Sequence, residues 1–316
     1  MKNILVLIPM DELHKKKFEK SVDNCVFTYS NSKGAKKEDL EKAEVIIGNP
    51  EIHDLKHCKN LKWLHLNTAG ANEFVKEGVL PKEVILTNST GAYGLAISEH
   101  MVGMLLEIIK KLHIYRDNQK EHLWKDEGGV TSVFGSTILI VGLGDIGTSF
   151  AKIVKAMGAH VIGVRRTNQP KEQFIDELYL SDELDKVLPR ADVVALSLPS
   201  TKDTYKLFSK ERLMKMKKGS ILINVGRGTS VDTEDLSFVL ENNHLLGAAL
   251  DVTDPEPLPK DHKLWDMENV VITPHISGWY HLPQTYENII NIATENLKRF
   301  MNNEELLNIV NLSTGY

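Results

Sequence analysis

The sequence is poor in cysteine. Its 316 residues include only Cys25 and Cys58, and neither has a His or Cys partner at the spacing of metal ligands. This pattern argues against a disulfide framework and against a zinc site, and it favours a reducing compartment. We therefore expect no bound metal.

Long apolar runs and an excess of one charge are also missing. No apolar stretch approaches the ~18 residues of a membrane-spanning helix, and the N-terminal run Ile4–Ile8 is too short for the core of a signal peptide. The 38 basic and 43 acidic residues give a net charge of −5, which creates no attraction to nucleic acid or anionic membranes. We expect a cytoplasmic protein with neither nucleic acid nor a membrane as partner.

Apolar residues make up 42% of the chain, enough for two buried cores. Short apolar runs alternate with helix-forming intervals in two parts of the chain. The first part contains Ile4–Ile8, Cys25–Tyr29, Val45–Ile47, Leu61–Leu66 and Val84–Leu86. The second contains Ile138–Val141, Val161–Val164, Val193–Leu196, Ile221–Val225, Gly247–Leu250 and Val270–Ile272. Strands that alternate with helices predict a parallel sheet covered by helices in each part.

Two helical patterns join these parts. From Leu95 to Lys120, apolar residues recur on one face, which predicts one long buried helix. The pattern Gln284–Met301 predicts a last helix that returns the chain to the first part. Between them, the glycine-containing stretch Lys125–Gly135 is expected to be an irregular loop.

The motif GLGDIG at 142–147 follows one of the predicted strands and opens a helical run. Glycines suit a tight turn, a close approach to a pyrophosphate and close packing of helix on strand, and the helix N-terminus attracts phosphates. The predicted cofactor-binding residues of this loop are Gly142, Gly144, Asp145, Ile146 and Gly147. A purely structural turn, or a loop for another nucleotide-like ligand, is the alternative.

The end of the next strand carries Arg165, Arg166 and Thr167, where an acidic residue would bind the ribose of NAD. Two guanidinium groups and a hydroxyl suit a 2′-phosphate, and no carboxylate is present for a free 2′-hydroxyl. These residues therefore favour NADP(H), with NAD(H) as the second choice. The alternative is a solvated basic loop.

Polar residues follow three later strands of the same predicted sheet. Arg227 stands between two glycines, Asp251 and then Glu256 follow the next strand, and His275 follows the last. Ligands of open α/β sheets bind at the carboxyl ends of strands, so these side chains are expected to converge. Taken singly, Arg227 could occupy an exposed turn and His275 could be a structural histidine.

These pieces resemble the D-isomer-specific 2-hydroxyacid dehydrogenases. The matching motifs are GLGDIG at 142–147, NVGRG at 224–228, LDVTDPEPL at 250–258 and TPHISGW at 273–279, in the order and spacing of that family. The resemblance implies Arg227, Glu256 and His275 as the catalytic set. It also implies that Asp251 binds the nicotinamide carboxamide.

The residues that match the family's substrate loop are Asn67, Thr68, Ala69, Gly70 and Ala71. The resemblance implies that backbone amides of this loop, at Ala69, Gly70 and Ala71, bind the substrate carboxylate together with Arg227; an ordinary strand-to-helix turn is the alternative.

The resemblance also implies an architecture and an activity. The expected fold is α/β, with two doubly wound parallel-sheet domains. A Rossmann cofactor domain, residues 99–284, is inserted in a flavodoxin-like substrate domain, residues 1–98 and 285–316. The expected protein is a homodimer that reversibly transfers hydride between NADPH and a small 2-keto acid, giving a D-2-hydroxy acid. A cofactor-sensing, non-catalytic corepressor-like protein is the alternative, and the absence of long disordered tails speaks against it.

Overall fold

The computed structural model describes residues 1–312 and 315. Its strands are β1 (Lys2–Val6), β2 (Cys25–Tyr29), β3 (Val45–Ile47), β4 (Trp63–His65), β5 (Ile85–Thr87), β6 (Thr137–Val141), β7 (His160–Arg165), β8 (Glu177–Leu180), β9 (Val193–Leu196), β10 (Ile221–Asn224), β11 (Gly247–Leu250) and β12 (Val270–Ile272). Its α-helices are α1 (Glu12–Glu19), α2 (Lys37–Lys42), α3 (Gly94–Ile109), α4 (Leu112–Lys120), α5 (Asp145–Ala156), α6 (Leu184–Val187), α7 (Lys210–Lys215), α8 (Thr233–Glu241) and α9 (Pro283–Asn302).

The chain divides into two units. Unit 1 consists of Met1–Tyr93 and Tyr280–Tyr316, and unit 2 of Gly94–Trp279. The boundaries expected from sequence, after residues 98 and 284, each lie five residues further along the chain. Unit 2 starts earlier because α3 belongs to it from its first residue, where a β-carbon on Gly94 would lie 2.4 Å from Asp145 Oδ1 on α5. The end of the predicted segment 285–316, at Ser313, Thr314 and Tyr316, falls outside the described residues.

Unit 1 contains a five-stranded sheet in the order β2-β1-β3-β4-β5, and all its paired strands are parallel. This is the strand order of flavodoxin-like folds. Its central strands are buried on both faces, as the continuous apolar run Val45–Ile47 predicts. The carboxyl ends of β3, β4 and β5 therefore lie side by side, and the chain leaves β4 into the loop that begins at Asn67.

Unit 2 contains a seven-stranded parallel sheet in the order β12-β11-β10-β9-β6-β7-β8. Counted from β6, this is the Rossmann order 3-2-1-4-5-6 with a seventh strand added. The order reverses between β6 and β9, which places the loop after β6 at the switch point where such sheets bind ligands. The predicted fold class, a Rossmann unit inserted in a flavodoxin-like unit, is confirmed.

The structure differs from the predicted elements in two places. The single helix expected over Leu95–Lys120 is wrong, because α3 ends at Ile109 and α4 begins at Leu112 after Lys111, whose φ is +57°. None of the residues of α4 is buried, so its apolar positions continue the pattern without joining the core. The strand β8 was also missed, because its sequence ELYL is only partly apolar and its residues are only half-buried at the edge of the sheet. In the part of the chain that the structure describes, no helix has the length and apolarity needed to span a membrane.

Candidate active site

The loop after β6 contains three glycines, and their surroundings differ. Gly142 has φ +99°, a conformation that only glycine adopts without strain, and Ser197 donates a hydrogen bond from Oγ to its carbonyl at 2.8 Å. A β-carbon on Gly147 would lie 1.9 Å from the carbonyl oxygen of Gly142. A β-carbon on Gly144 would meet no protein atom within 4 Å. The loop is thus tight on its protein side and open at Gly144.

That open side faces the start of α5, where Asp145 and Ile146 form the first helical turn and are half-buried. Unpaired amides and the partial positive charge at a helix N-terminus attract phosphate. The open space at Gly144 gives a pyrophosphate room to approach the backbone. The loop therefore has the features that a dinucleotide requires.

At the end of β7, the two arginines are in different environments. Arg165 is buried, and its guanidinium donates to the carbonyl oxygens of Gln169 at 2.7 Å and Pro170 at 2.6 Å. Arg166 and Thr167 are exposed at the start of the following loop. Arg165 therefore shapes this loop from within, whereas Arg166 and Thr167 present their side chains at its surface. The prediction that all three contact a 2′-phosphate stays a prediction, and the geometry favours Arg166 and Thr167 for it.

Arg227 follows β10 in a tightly packed backbone. A β-carbon on Gly226 would lie 2.5 Å from the backbone nitrogen of Leu198, and one on Gly228 would lie 1.8 Å from the carbonyl oxygen of Thr253. Both glycines are therefore required by packing. The guanidinium is half-buried, and its only hydrogen bond among the described residues is donated to the Gly226 carbonyl at 2.7 Å. Most N–H donors of the guanidinium are thus available to a ligand.

Glu256 is near both other members of the predicted catalytic set. Burial lowers the pKa of the Arg227 guanidinium, and the negative charge of Glu256 opposes this lowering. The Oε1 atom of Glu256 lies 2.9 Å from His275 Nδ1, and both side chains are a little under half exposed. The structure therefore brings Arg227, Glu256 and His275 together at the carboxyl ends of β10, β11 and β12.

The backbone of His275 is held in an unusual conformation by Asp251. His275 has φ +52°, and its N–H donates to the Asp251 carbonyl at 2.8 Å. The buried Asp251 carboxylate accepts from Thr273 Oγ1 at 2.6 Å and from the backbone nitrogen of Ile276 at 3.0 Å. It also accepts from the backbone and the hydroxyl of Ser277.

These four hydrogen bonds occupy the roughly four lone-pair positions of a carboxylate. Asp251 thus stabilises the loop that carries His275. The contact of Asp251 with a nicotinamide carboxamide stays a prediction, and one of these bonds would have to give way to it. His100 on α3 lies 3.0 Å from Thr273 Oγ1 and extends the same network.

The loop after β4 in unit 1 has its carbonyl groups anchored. The Thr68 carbonyl accepts from the backbone nitrogen of Ser89 at 3.1 Å, and the Ala69 carbonyl accepts from Asn88 Nδ2 at 2.7 Å. The Gly70 carbonyl accepts from Thr68 Oγ1 at 2.8 Å. Among the described residues, the N–H groups of 69–71 donate to no protein acceptor. The loop therefore offers unpaired donors, as a carboxylate site needs.

Several residues behind these loops were not found from sequence. They are Asn49, Asn88, Tyr93 and Tyr280 in unit 1, and His100, Thr273 and Ser277 in unit 2. Their hydrogen bonds are made with residues far away in sequence, so no local spacing marks them. The only available signal was that Tyr280 and Trp279 directly follow the His275 motif. None of the described residues forms a cluster of three or more His, Cys, Asp or Glu side chains suited to a metal.

Comparison with known proteins identifies the family of the chain. Residues 102–277 match the family described as "D-isomer specific 2-hydroxyacid dehydrogenase, NAD binding domain". Glyoxylate/hydroxypyruvate reductase B of Pectobacterium carotovorum is 32% identical over 288 residues, which cover 86% of this chain and 87% of that protein.

Two solved structures are similar over almost the whole length. A D-isomer specific 2-hydroxyacid dehydrogenase family protein from Aeromonas salmonicida matches with a TM-score of 0.87 and 29% identity, covering 98% of this chain and 99% of that chain. A D-isomer specific 2-hydroxyacid dehydrogenase from Xanthobacter autotrophicus Py2, in complex with NADPH and MES, matches with a TM-score of 0.85 and 25% identity, covering 100% and 99%. By its family match and its similarity to these proteins, the chain belongs to the D-isomer-specific 2-hydroxyacid dehydrogenase family.

Proposed function

We propose that this oxidoreductase reduces a small 2-keto acid with NADPH and gives a D-2-hydroxy acid, reversibly. The observation that carries the proposal is the Glu256–His275 pair, whose carboxylate also acts electrostatically on Arg227, in the same unit as the glycine loop. The relative from Pectobacterium is named a glyoxylate/hydroxypyruvate reductase, and the Xanthobacter structure contains NADPH. Both favour a reductase over the cofactor-sensing alternative.

The glycine loop suits the pyrophosphate of NADP(H), and the end of β7 suits its 2′-phosphate. Gly142, Gly144 and Gly147 would accommodate the pyrophosphate at the N-terminus of α5, and Arg166 with Thr167 would hold the 2′-phosphate. When bound, the reduced nicotinamide supplies the hydride. Arg165 supports this site by keeping the loop after β7 folded.

Arg227 binds and orients the substrate in this proposal. Its half-buried guanidinium can bind the carboxylate and the keto oxygen together, which fixes the direction of the carbonyl. The positive charge also stabilises the negative charge that develops on that oxygen during reduction. Because the guanidinium is partly desolvated, this interaction is stronger than it would be in water.

His275 is the proposed acid for reduction and base for oxidation. Its Nδ1 is paired with Glu256, which leaves Nε2 to deliver a proton to the keto oxygen or to remove one from the hydroxyl. Glu256 thereby fixes the orientation of the imidazole ring. The amides of Ala69, Gly70 and Ala71 in unit 1 would bind the substrate carboxylate.

The assembly and location are proposed from the family resemblance and the composition. We propose a homodimer that works in the cytoplasm. The two cysteines and the net charge of −5 support a reducing location without an anionic partner. Sedimentation of the purified protein would test the dimer.

The test is a panel of 2-keto acids, including glyoxylate and hydroxypyruvate, assayed with NADPH and NADH. Wild-type protein should oxidise NADPH with at least one of them. His275→Asn should lower kcat by about a hundredfold or more while NADPH still binds, since acid–base catalysis contributes roughly 10²–10⁴ in rate. If NADPH binds but is not consumed with any 2-keto acid, the cofactor-sensing alternative replaces the proposal.

The matched control is His262→Asn. His262 in unit 2 also lies near a glutamate, with Nε2 3.2 Å from Glu234 Oε1, but it is not part of the predicted site. This variant should keep wild-type turnover. Equal losses in both variants would show that removal of any His–Glu pair impairs this protein, and the assignment of His275 would then be withdrawn.

A further inference from the structure

Residues 67–71, the loop after β4, are called the amide loop. Its first residue, Asn67, links it to three other segments of unit 1. Its N–H donates to Asn49 Oδ1 at 3.0 Å, and its Oδ1 accepts from the Asn49 N–H at 3.0 Å. Its carbonyl accepts a short hydrogen bond from the Tyr93 hydroxyl, and its Nδ2 donates one to the Tyr280 hydroxyl. Every polar group of Asn67 is thus paired.

The anchored carbonyl groups of the loop determine which way its amides point, and the Asn67 carbonyl is the first of them. In a trans peptide, the carbonyl of one residue points opposite to the N–H of the next. Carbonyls 67–70 are all anchored by protein donors, from Tyr93 Oη, the Ser89 N–H, Asn88 Nδ2 and Thr68 Oγ1 respectively. The N–H groups of residues 68–71 are therefore turned away from these donors, where a bound anion can accept from them.

The two phenols are suited to this task because they stay neutral. Burial raises the pKa of Tyr280 to about 12, and burial also raises the pKa of Tyr93. Each keeps its hydroxyl proton over the working pH range, so Tyr93 remains a donor to the Asn67 carbonyl. A phenolate at either position would place a negative charge behind the anion site.

We infer that Tyr280, Tyr93 and Asn67 are positioning residues of the substrate-carboxylate site. The two tyrosines fix Asn67, and Asn67 begins the row of outward-facing amides. This inference rests on the proposed function, in which the amides of 69–71 bind the carboxylate of a 2-keto acid. Tyr280 lies outside the loop in sequence and acts on it through Asn67.

The test uses Tyr280→Phe and Asn67→Asp. Tyr280→Phe leaves Asn67 Nδ2 without its acceptor, so KM for the 2-keto acid should rise about three- to tenfold, the usual effect of one hydrogen bond. Asn67→Asp keeps the size but adds a negative charge beside the loop, and KM should rise about tenfold or more. KM for NADPH and kcat should stay within about twofold in both variants.

Tyr286→Phe is the matched control. Tyr286 packs edge-on against Tyr280, with ring centroids 5.9 Å apart, but its hydroxyl donates to the Pro9 carbonyl instead of supporting the loop. Its KM for the 2-keto acid should be unchanged. A rise equal to that of Tyr280→Phe would overturn the inference, because general loosening of unit 1 would then explain both.

Oxalate binding separates this inference from the proposed function. The dissociation constant of oxalate with the NADPH-bound protein should rise in Tyr280→Phe and Asn67→Asp by about the same factor as KM. If wild-type protein reduces 2-keto acids while oxalate binding and KM are unchanged in both variants, the inference is overturned and the proposed function stands. If no 2-keto acid is reduced, weaker oxalate binding in the variants still supports the carboxylate site. If Tyr280→Phe does not fold, the isosteric Asn67→Asp variant tests the inference by itself.

Discussion

The loops 142–147 and 67–71 both follow a parallel strand and both offer backbone N–H groups, yet they are built in opposite ways. The first depends on missing side chains, since a β-carbon on Gly147 would lie 1.9 Å from the Gly142 carbonyl oxygen. The second depends on side chains supplied from elsewhere, including Asn88, Tyr93 and Tyr280. The first loop runs into α5, whereas residues 72–79 after the second form turns.

The difference shows how backbone donors can be oriented with or without a helix. Beside 142–147, the amides at the start of α5 are aligned by the helix itself, so the loop needs only space and a tight turn. Beside 67–71, no helix aligns the amides, and each carbonyl is anchored separately. The glycine loop should therefore be sensitive to added volume, and the amide loop to lost hydrogen bonds.

The largest expected effect is that of adding one methyl group at two glycines of the same loop. Gly147→Ala should destabilise unit 2 by about 3 kcal/mol and abolish NADPH binding, because the new β-carbon meets backbone atoms. Gly144→Ala should keep the melting temperature, since the space is open and φ is −83°, but raise KM for NADPH about tenfold or more. Thermal melts and NADPH titrations of both variants distinguish these outcomes.

Gly103→Ala is the control for the glycine pair. Gly103 is exposed inside α3, and a β-carbon there would meet nothing within 4 Å. This variant should be stabilised by about 0.5–1 kcal/mol. A Gly147→Ala protein as stable as the Gly103→Ala protein would show that the glycine loop tolerates added volume, and the contrast with the amide loop would be lost.

An intermediate effect is expected from the two arginines after β7. Arg166→Ala should raise KM for NADPH about tenfold, about 1.4 kcal/mol, with KM for NADH unchanged, because NADH lacks the 2′-phosphate that Arg166 is proposed to hold. Arg165→Ala should lower the free energy of unfolding by about 1–3 kcal/mol, because the carbonyls of Gln169 and Pro170 lose their donor. Steady-state kinetics with both cofactors and thermal melts measure these effects. A wild-type preference for NADH would contradict the 2′-phosphate assignment.

The smallest expected effect comes from the protonation of His14 in unit 1. His14 contacts the Tyr286 ring, which in turn contacts Tyr280. The hydrogen bond with Glu287 raises the pKa of His14 above its ordinary value, and Asp11 adds to the effect. Because the folded pKa is the higher one, the stabilisation is fully present below about pH 6.5 and is lost as pH rises through the folded pKa.

His14→Gln should therefore lower the free energy of unfolding by about 0.5–1 kcal/mol more at about pH 5.5 than at about pH 9. Urea unfolding at both pH values measures the difference. His281→Gln, at an exposed position of the same unit with no carboxylate contact among the described residues, is the control and should change the free energy of unfolding equally at both pH values. If His14→Gln lowers the free energy of unfolding by the same amount at both pH values, the ion pairs of His14 do not stabilise unit 1.

Much of the fold and part of the site could be predicted from the sequence. The buried strands were located correctly because parallel strands covered on both faces are continuous apolar runs, as Val45–Ile47 and Val193–Leu196 are. The half-buried edge strand β8 and the break at Lys111 were not predicted, since neither changes the apolar pattern. Arg227, Glu256 and His275 were singled out because each follows a strand of one predicted sheet, and the family resemblance implied their role as the catalytic set.

The sequence by itself determined the two parallel sheets, the glycine loop and the order of the polar residues at the strand ends. These features depend on local spacing and on residues that tolerate no β-carbon, such as Gly142 and Gly147. Only the tertiary structure decided that Arg165 is turned inward, that Asp251 holds the His275 loop, and that Tyr93 and Tyr280 meet at Asn67. Arg165 bonds to carbonyls four and five residues later, in a loop without regular spacing. Asp251 and Asn67 bond to groups 18 or more residues away, whose positions are set only when the chain is packed.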